Sequence, residues 1–202
     1  CNQLGFGQQL AVLPGDDFHA VNQCQVYKCK VAAFEDTKSA QLGSYLPTDL
    51  EMDTDETVTW VIDPEDYKAD VLFVFENGRV ARVALSGYAT KTNRKRLKNA
   101  IYGGSKLMYA TVLKEERDLA LVSSDYRLVN FNTSLLKTKT TNSTQGVQAL
   151  TIKGSRTVTM VGTAEEFIGG KAQVEKFRAE KLPSAGAPMK ETDMKSLFDL
   201  EE

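Results

Sequence analysis

DVLFVFENGRVARVALSGYATKTNRKRLKNA, residues 70–100, lies without a gap over DLALVSSDYRLVNFNTSLLKTKTTNSTQGVQ, residues 118–148, at a constant shift of 48. Asp70 meets Asp118, the apolar run Val71 to Phe75 meets Leu119 to Ser123, and Arg79 meets Arg127. Val80 meets Leu128, and Thr90-Lys91-Thr92 meets Thr138-Lys139-Thr140. An earlier copy, HAVNQCQVYKCKVAAFEDTKSAQLGSYL at residues 19–46, sets Val26 in the place of Val80 and Gly43 in that of Gly146. An acidic insertion from Asp49 to Glu56 follows it. A period of this length met three times is the signature of supersecondary units stacked one on the next.

Each copy begins with a short apolar strand, then a turn, then an alternating strand. Glu76-Asn77-Gly78-Arg79 is the clearest hairpin signal, because Asn-Gly tolerates the positive φ of a tight two-residue turn. Ser124-Asp125-Tyr126-Arg127 and Asn22-Gln23-Cys24-Gln25 are weaker versions. A Thr/Lys/Asn-rich stretch comes next, and then a second strand pair such as Val147 to Ile152 and Thr157 to Val161 around Lys153-Gly154-Ser155. The sequence predicts an all-β, propeller-like fold of repeated four-stranded blades, each about 48–54 residues long. The units are expected at about 18–66, 70–117 and 118–162, with a partial blade before residue 18 in LGFGQQLAVLP. The domain then spans 1–182, and a short helical or irregular C-terminal tail covers 183–202.

The chain has 202 residues, of which 42% are hydrophobic, 26% charged and 8% aromatic, which excludes a disordered tail or a disulfide mini-protein. The longest apolar run, Val71 to Phe75, is five residues, against the roughly 20 of a membrane helix, and no basic-then-apolar leader opens the chain. The start at Cys1 without a methionine suggests a piece excised from a longer polypeptide. Three cysteines, Cys1, Cys24 and Cys29, suit a reducing, cytosolic setting. His19 with these thiols lacks the close Cys-x2-4-Cys knuckles of zinc sites, and small buried thiols are the competing reading.

The net charge of −2 conceals a segregation. Residues 1–78 hold 4 Lys/Arg and 14 Asp/Glu, residues 79–160 hold 15 and 4, and residues 161–202 hold 6 and 9. A basic middle between acidic ends suggests a polyanion-binding face. Lys91, Arg94, Lys95, Arg96 and Lys98 crowd into one polar stretch, while Lys137 and Lys139 stand among Thr138, Thr140, Thr141, Asn142, Ser143 and Thr144 in the next. Lysine and arginine neutralise phosphates, and hydroxyls and amides add hydrogen bonds without reading bases. Lys106, Lys153 and Arg156 in the adjoining turns complete the candidate set. Any one basic loop reads equally as solvated surface; recurrence at equivalent repeat positions favours duplex DNA as partner. A propeller-like module for protein or small ligands is the alternative, with no general need for such recurrence. Tyr88, Tyr102 and Tyr126 are expected to serve packing or turns, and Trp60 the core.

Signals for catalysis are missing: there is one histidine, no Gly-x-Ser-x-Gly elbow and no Walker loop, Gly103-Gly104-Ser105-Lys106 having the wrong spacing. Asp49, Glu51, Asp53 and Asp55 alternate like cation ligands but lack the glycine and distant glutamate of an EF-hand. No catalytic residue, metal or cofactor is expected.

VLFVFENGRVARVALSGYATKTNRKRLKNAIYGGSKL and LVSSDYRLVNFNTSLLKTKTTNSTQGVQALTIK resemble the C-terminal domain of the A subunit of bacterial type IIA DNA topoisomerases, the gyrase A and topoisomerase IV A family. The likeness covers about residues 19–190 and is strongest from 70 to 162, and LPSAGAPMKE resembles the end of such subunits. It implies a β-pinwheel whose basic outer rim binds and bends duplex DNA, with the catalytic tyrosine and the ATPase elsewhere. The implied partners are double-stranded DNA, the remainder of the A subunit and the ATPase B subunit, with no membrane, in a cytoplasmic, nucleoid-associated setting. The Gln-Arg-Arg-Gly-Gly-x-Gly gyrase A box is absent. Asn93 to Leu97 and Ser143 to Val147 are local echoes of it. Gyrase and topoisomerase IV activities therefore both stay open for the parent enzyme. The acidic terminus Leu197 to Glu202 is expected to be unstructured or to fold back on the basic face.

Overall fold

The computed structural model describes residues 17–22, 25–30, 34, 44–54, 56, 58–89, 96–168 and 174–190, with backbone alone for 17–22. In chain order these form β1 (Asp17–Asn22), β2 (Gln25–Lys30), α1 (Leu46–Asp49), β3 (Trp60–Ile62), β4 (Asp70–Phe75), β5 (Arg79–Ala84), β6 (Arg96–Leu97) and β7 (Leu107–Leu113). They continue with β8 (Asp118–Ser123), β9 (Arg127–Asn132), β10 (Val147–Gln148), β11 (Val158–Gly162), α2 (Ala164–Phe167) and β12 (Ala187–Pro188). Three antiparallel four-stranded sheets result, ordered β3-β1-β2-β6, β10-β5-β4-β7 and β11-β8-β9-β12. The all-β design of repeated four-stranded blades, expected from the 48-residue period, is present.

The provenance of the fourth strand departs from the sequence reading. Val147–Ile152 and Thr157–Val161 do not form a local pair; β10 crosses to β5, while β11 pairs with β8. Likewise β6, from the polar stretch of the second unit, completes the first blade on β2. β12, inside the segment expected to be a tail, completes the third blade on β9. Each blade's hairpin thus offers a free edge of backbone N–H and C=O groups, and the following segment satisfies it. The partial blade before residue 18, Gly43, Asp55 and the acidic terminus lie outside the described residues.

Stacking explains the sequence pattern. Val71, Phe73 and Phe75 face the first blade's Val26 and Ile62, whereas Leu72, Val74 and Val80 face Leu119, Leu121, Val129 and Phe131 of the third. β4 is apolar on both faces, so it reads as a continuous run instead of an alternating one. The two outer faces are closed by non-blade segments. Leu46 of α1 and Leu50 of the acidic insertion pack with Tyr27 on the first blade, and Ala164, Ile168, Val174 and Phe177 pack on Ala120, Val122 and Leu128 of the third. Beneath that C-terminal cover lies Asn130, fully buried, with neither amide atom hydrogen-bonded among the described residues.

The β4–β5 turn has three residues between the strands, Glu76, Asn77 and Gly78, not two. Val74 pairs with Val80, the Gly78 N–H donates to the Phe75 carbonyl at 2.9 Å, and only Gly78 has positive φ, at 79°. β8–β9 repeats this geometry with Tyr126 in the glycine's place, φ 57° and its N–H 2.8 Å from the Ser123 carbonyl. Tyr88 is buried and donates to the Ala100 carbonyl, Tyr102 packs edge-on to Phe75, and Trp60 packs edge-on to Tyr109, as packing residues should. Tyr126 does not pack: its side chain is one of the few large apolar groups on the surface among the described residues.

Candidate nucleic-acid interface

The strand exchange sorts the candidate cations into two rows. Lys98 follows β6 directly, and Lys137 and Lys139 lead toward β10, so all three ride on segments laid along the free edge of a preceding blade. Lys139 is held there by its N–H to the Arg82 carbonyl, 2.8 Å, and by its carbonyl accepting from Ala84 N–H, 3.0 Å. In the third blade Ala179 takes the corresponding place, its N–H donating to the Asn130 carbonyl at 2.7 Å as that of Lys139 does to Arg82, and the exposed Lys181 follows it. Lys181 escapes the sequence reading because the 174–190 segment shows no repeat of its own. Matching Gly186 to Gly146, with φ of 64° and 68° just before their exchanged strands, sets Lys181 on Thr141, two residues past Lys139.

The second row lies at the hairpin ends. Glu76 N–H donates to the Lys106 carbonyl, and Ser124 N–H to the Thr157 carbonyl, so the loops with Lys106 and with Lys153 and Arg156 flank equivalent turns. Lys98, Lys106, Lys137, Lys139 and Lys153 are exposed and form no ion pair among the described residues. Lys91, Arg94 and Lys95 lie outside the described residues.

Two candidates are engaged within the fold. Arg96 donates to Gln25, to Asp53 at 2.6 Å and to Glu56 at 3.2 Å, and its guanidinium stands over the Tyr27 ring. Glu56 also accepts from the Tyr27 hydroxyl and from Asp53 N–H. The Arg96 hydrogen bond holds the Asp53 carboxyl below its usual range, while burial foremost and then Glu56 push the Tyr27 phenol upward. Asp53, one of the four acids weighed as cation ligands, thus joins Glu56 in holding an arginine; among the described residues no three His, Cys, Asp or Glu side chains form a metal-binding group. Arg156 pairs with Asp125 at 3.1 Å, whose carboxyl is lowered by the Ser123 hydroxyl first and then by Arg156. Some expected phosphate donors are also turned inward: Thr138 donates to Asp70 at 2.7 Å and Asn142 to the Gly87 carbonyl at 3.0 Å.

Arg96→Ala is therefore expected to act on folding. Leaving Glu56 with one fewer charged partner should shift the unfolding midpoint in urea titrations to lower denaturant. Unchanged stability would show that the acidic insertion does not depend on Arg96.

No protein-family model and no curated protein matches this chain. Solved structures do. The C-terminal domain of a DNA topoisomerase IV matches with TM-score 0.67 and 20% identity over 77% of this chain and 50% of its own. The Escherichia coli ParC C-terminal domain matches with TM-score 0.70 and 14% identity over 90% of this chain and 80% of its own. A DNA gyrase A C-terminal domain matches with TM-score 0.56 and 14% identity over 91% of this chain and 64% of its own. The chain spans half the length of the topoisomerase IV domain and under two thirds of the gyrase A domain. At these identities the likeness establishes the fold: this is a β-pinwheel of the kind found at the C-termini of type II topoisomerase A subunits. No helix among the described residues is long and apolar enough to cross a membrane.

Proposed function

We propose that this chain binds and bends duplex DNA along its exchanged-strand edges with little sequence preference, as an accessory domain of a bacterial gyrase or topoisomerase IV A subunit. The supporting observation is that Lys98, Lys137 and Lys139 sit on the exchanged segments of successive blades, exposed and free of ion pairs among the described residues. A duplex following those edges meets fresh cations at each blade. Neutralisation on one side favours a bend, offsetting an elastic cost of roughly 1–6 kcal/mol for 40–90°. Hydroxyl and amide groups beside the lysines position phosphates without reading bases. Lys91, Arg94 and Lys95 would extend the first cluster, and Lys106, Lys153 and Arg156 would guide a strand past the hairpin ends. The domain performs no chemistry itself. It guides DNA for an ATP-dependent parent enzyme made with the rest of the A subunit and the ATPase B subunit, in the cytoplasm and on the nucleoid.

The test is a titration of short duplexes of unrelated sequence across a salt series. The triple variant Lys98→Ala, Lys137→Ala, Lys139→Ala should flatten the log-log salt slope by about 0.9 for each lost phosphate contact. Sharp base preference, binding that persists at high salt, or an unchanged slope in the variant would refute the reading.

A further inference from the structure

We propose that Tyr126 is a DNA-contacting residue at the hairpin end of the third blade, its hydroxyl donating to a phosphate and its ring packing on the adjoining sugar. This rests on the duplex-binding reading and adds to it an uncharged contact. Tyr126 occupies the left-handed position that its counterpart Gly78 fills in the second blade, at φ 57° against 79°. For a bulky side chain that conformation costs stability, and such strain persists where something else compensates.

The turn's backbone hydrogen bonds, to the Ser123 carbonyl and from Met189 N–H, each 2.8 Å, hold the backbone, but among the described residues nothing engages the side chain. The Tyr126 side chain is 58% exposed, and no hydrogen bond of its hydroxyl occurs there. Two other positive-φ side chains are compensated locally: Glu65 pairs with Lys114, and Tyr67 packs against the core beneath Lys28. Asn99 is of a type that tolerates the conformation. The counterpart Gly78 is covered, since a Cβ there would meet the Leu150 carbonyl oxygen at 2.2 Å. The third blade leaves this position open and fills it with an aromatic ring.

The surroundings point to a polyanion. Ser124 N–H donates to the Thr157 carbonyl at 2.8 Å, Thr157 N–H reaches the Ser124 hydroxyl at 3.2 Å, and Arg156 pairs with Asp125. These contacts clamp the loop bearing Lys153 and Arg156 against the turn that presents Tyr126. A tyrosine hydroxyl on a turn clamped to a lysine-bearing loop suits a phosphate oxygen, and the ring suits the sugar's apolar edge.

The experiment compares the wild-type chain with Tyr126→Gly and Tyr126→Phe in thermal melts and in the duplex titration across salt. Tyr126→Gly, relieved of left-handed strain, should melt at least as high as wild type yet bind duplex about tenfold more weakly, with the salt slope unchanged because no counterion is involved. Tyr126→Phe, keeping the ring, should lose about threefold. Wild-type affinity in Tyr126→Gly overturns this proposal and leaves the duplex reading intact. A shallower slope in that variant also overturns it, since Tyr126 would then only position Lys153 and Arg156. If the wild type itself shows no salt-dependent duplex binding, the duplex reading fails and this contact with it.

Discussion

Gly146→Val is expected to destabilise the chain by more than about 4 kcal/mol and to lower its melting temperature by more than about 10 °C. Gly146 has φ 68° one residue before β10, and a Cβ added to it would lie 2.1 Å from the Val80 carbonyl oxygen and 2.6 Å from the Ala81 Cα. Both obstacles are backbone of a buried strand, so the exchanged segment would have to leave β5. A β-branched residue adds to this the steric penalty of left-handed backbone. Gly154→Val provides the control, because Gly154 has φ 63° and a Cβ there would meet nothing within 4 Å. It bears the left-handed penalty alone, about 1–2 kcal/mol. Equal melting temperatures for the two variants would mean that the close approach of β10 to β5 does not govern stability.

Arg82→Met should cost about 3 kcal/mol, since it breaks a half-buried charge network joining the second and third blades. Arg82 donates to Asp70 and Glu116 at 2.6 and 2.7 Å and lies 3.4 Å from the Thr133 and Leu136 carbonyls. Removing it leaves the Asp70 carboxylate with Thr138 and Glu116 with Thr133. The Thr133 hydroxyl first, and Arg82 next, hold the Glu116 carboxyl below the usual range against the opposing effect of burial. A carboxyl lowered by folding contributes stability that is complete above its unfolded pKa, about 4.3, and is lost as pH falls through the lower folded value. The gap between wild type and Arg82→Met in urea titrations should therefore be widest near pH 7 and narrow below about pH 4. A gap independent of pH would show that Arg82 acts through packing and not through its carboxylate partners.

Arg82 also illustrates how far equivalence between repeats extends. Its counterpart at the 48-residue shift is Asn130, opposite Ala120 as Arg82 is opposite Leu72. Arg82 finds Glu116 across the blade interface; Asn130 faces the C-terminal cover, and its side-chain amide finds no partner among the described residues. Asp118, the counterpart of Asp70, receives Arg178 instead, from the 174–190 segment, at 2.5 Å. The same structural need is met from a different place in the chain.

The hairpins are legible in the sequence because they are local. Val74 and Val80 meet across a three-residue turn, and the apolar runs at 71–75 and 119–122 report strands buried on both faces. The period of 48 and the all-β architecture follow from those signals without reference to any distant contact. The exchanged strands are not legible. β6, β10 and β12 are two residues long, too short for a hydrophobic period, and each pairs across a large separation: Leu97 with Val26, Val147 with Val80, Ala187 with Leu128.

The candidate site divides along the same line. Composition and recurrence locate the basic stretches, because charge is a property of the residues themselves. Which cations remain free is decided by tertiary structure: Arg96 is drawn into the Asp53 and Glu56 carboxylates and Arg156 to Asp125, while Lys98, Lys137 and Lys139 stay exposed. Tyr126 reads as a turn residue by its position, and only the open third-blade turn leaves its ring on the surface. Local backbone preference fixes turns and strands, whereas the partner of an unpaired strand edge or a charged side chain depends on what the fold brings within a few ångströms.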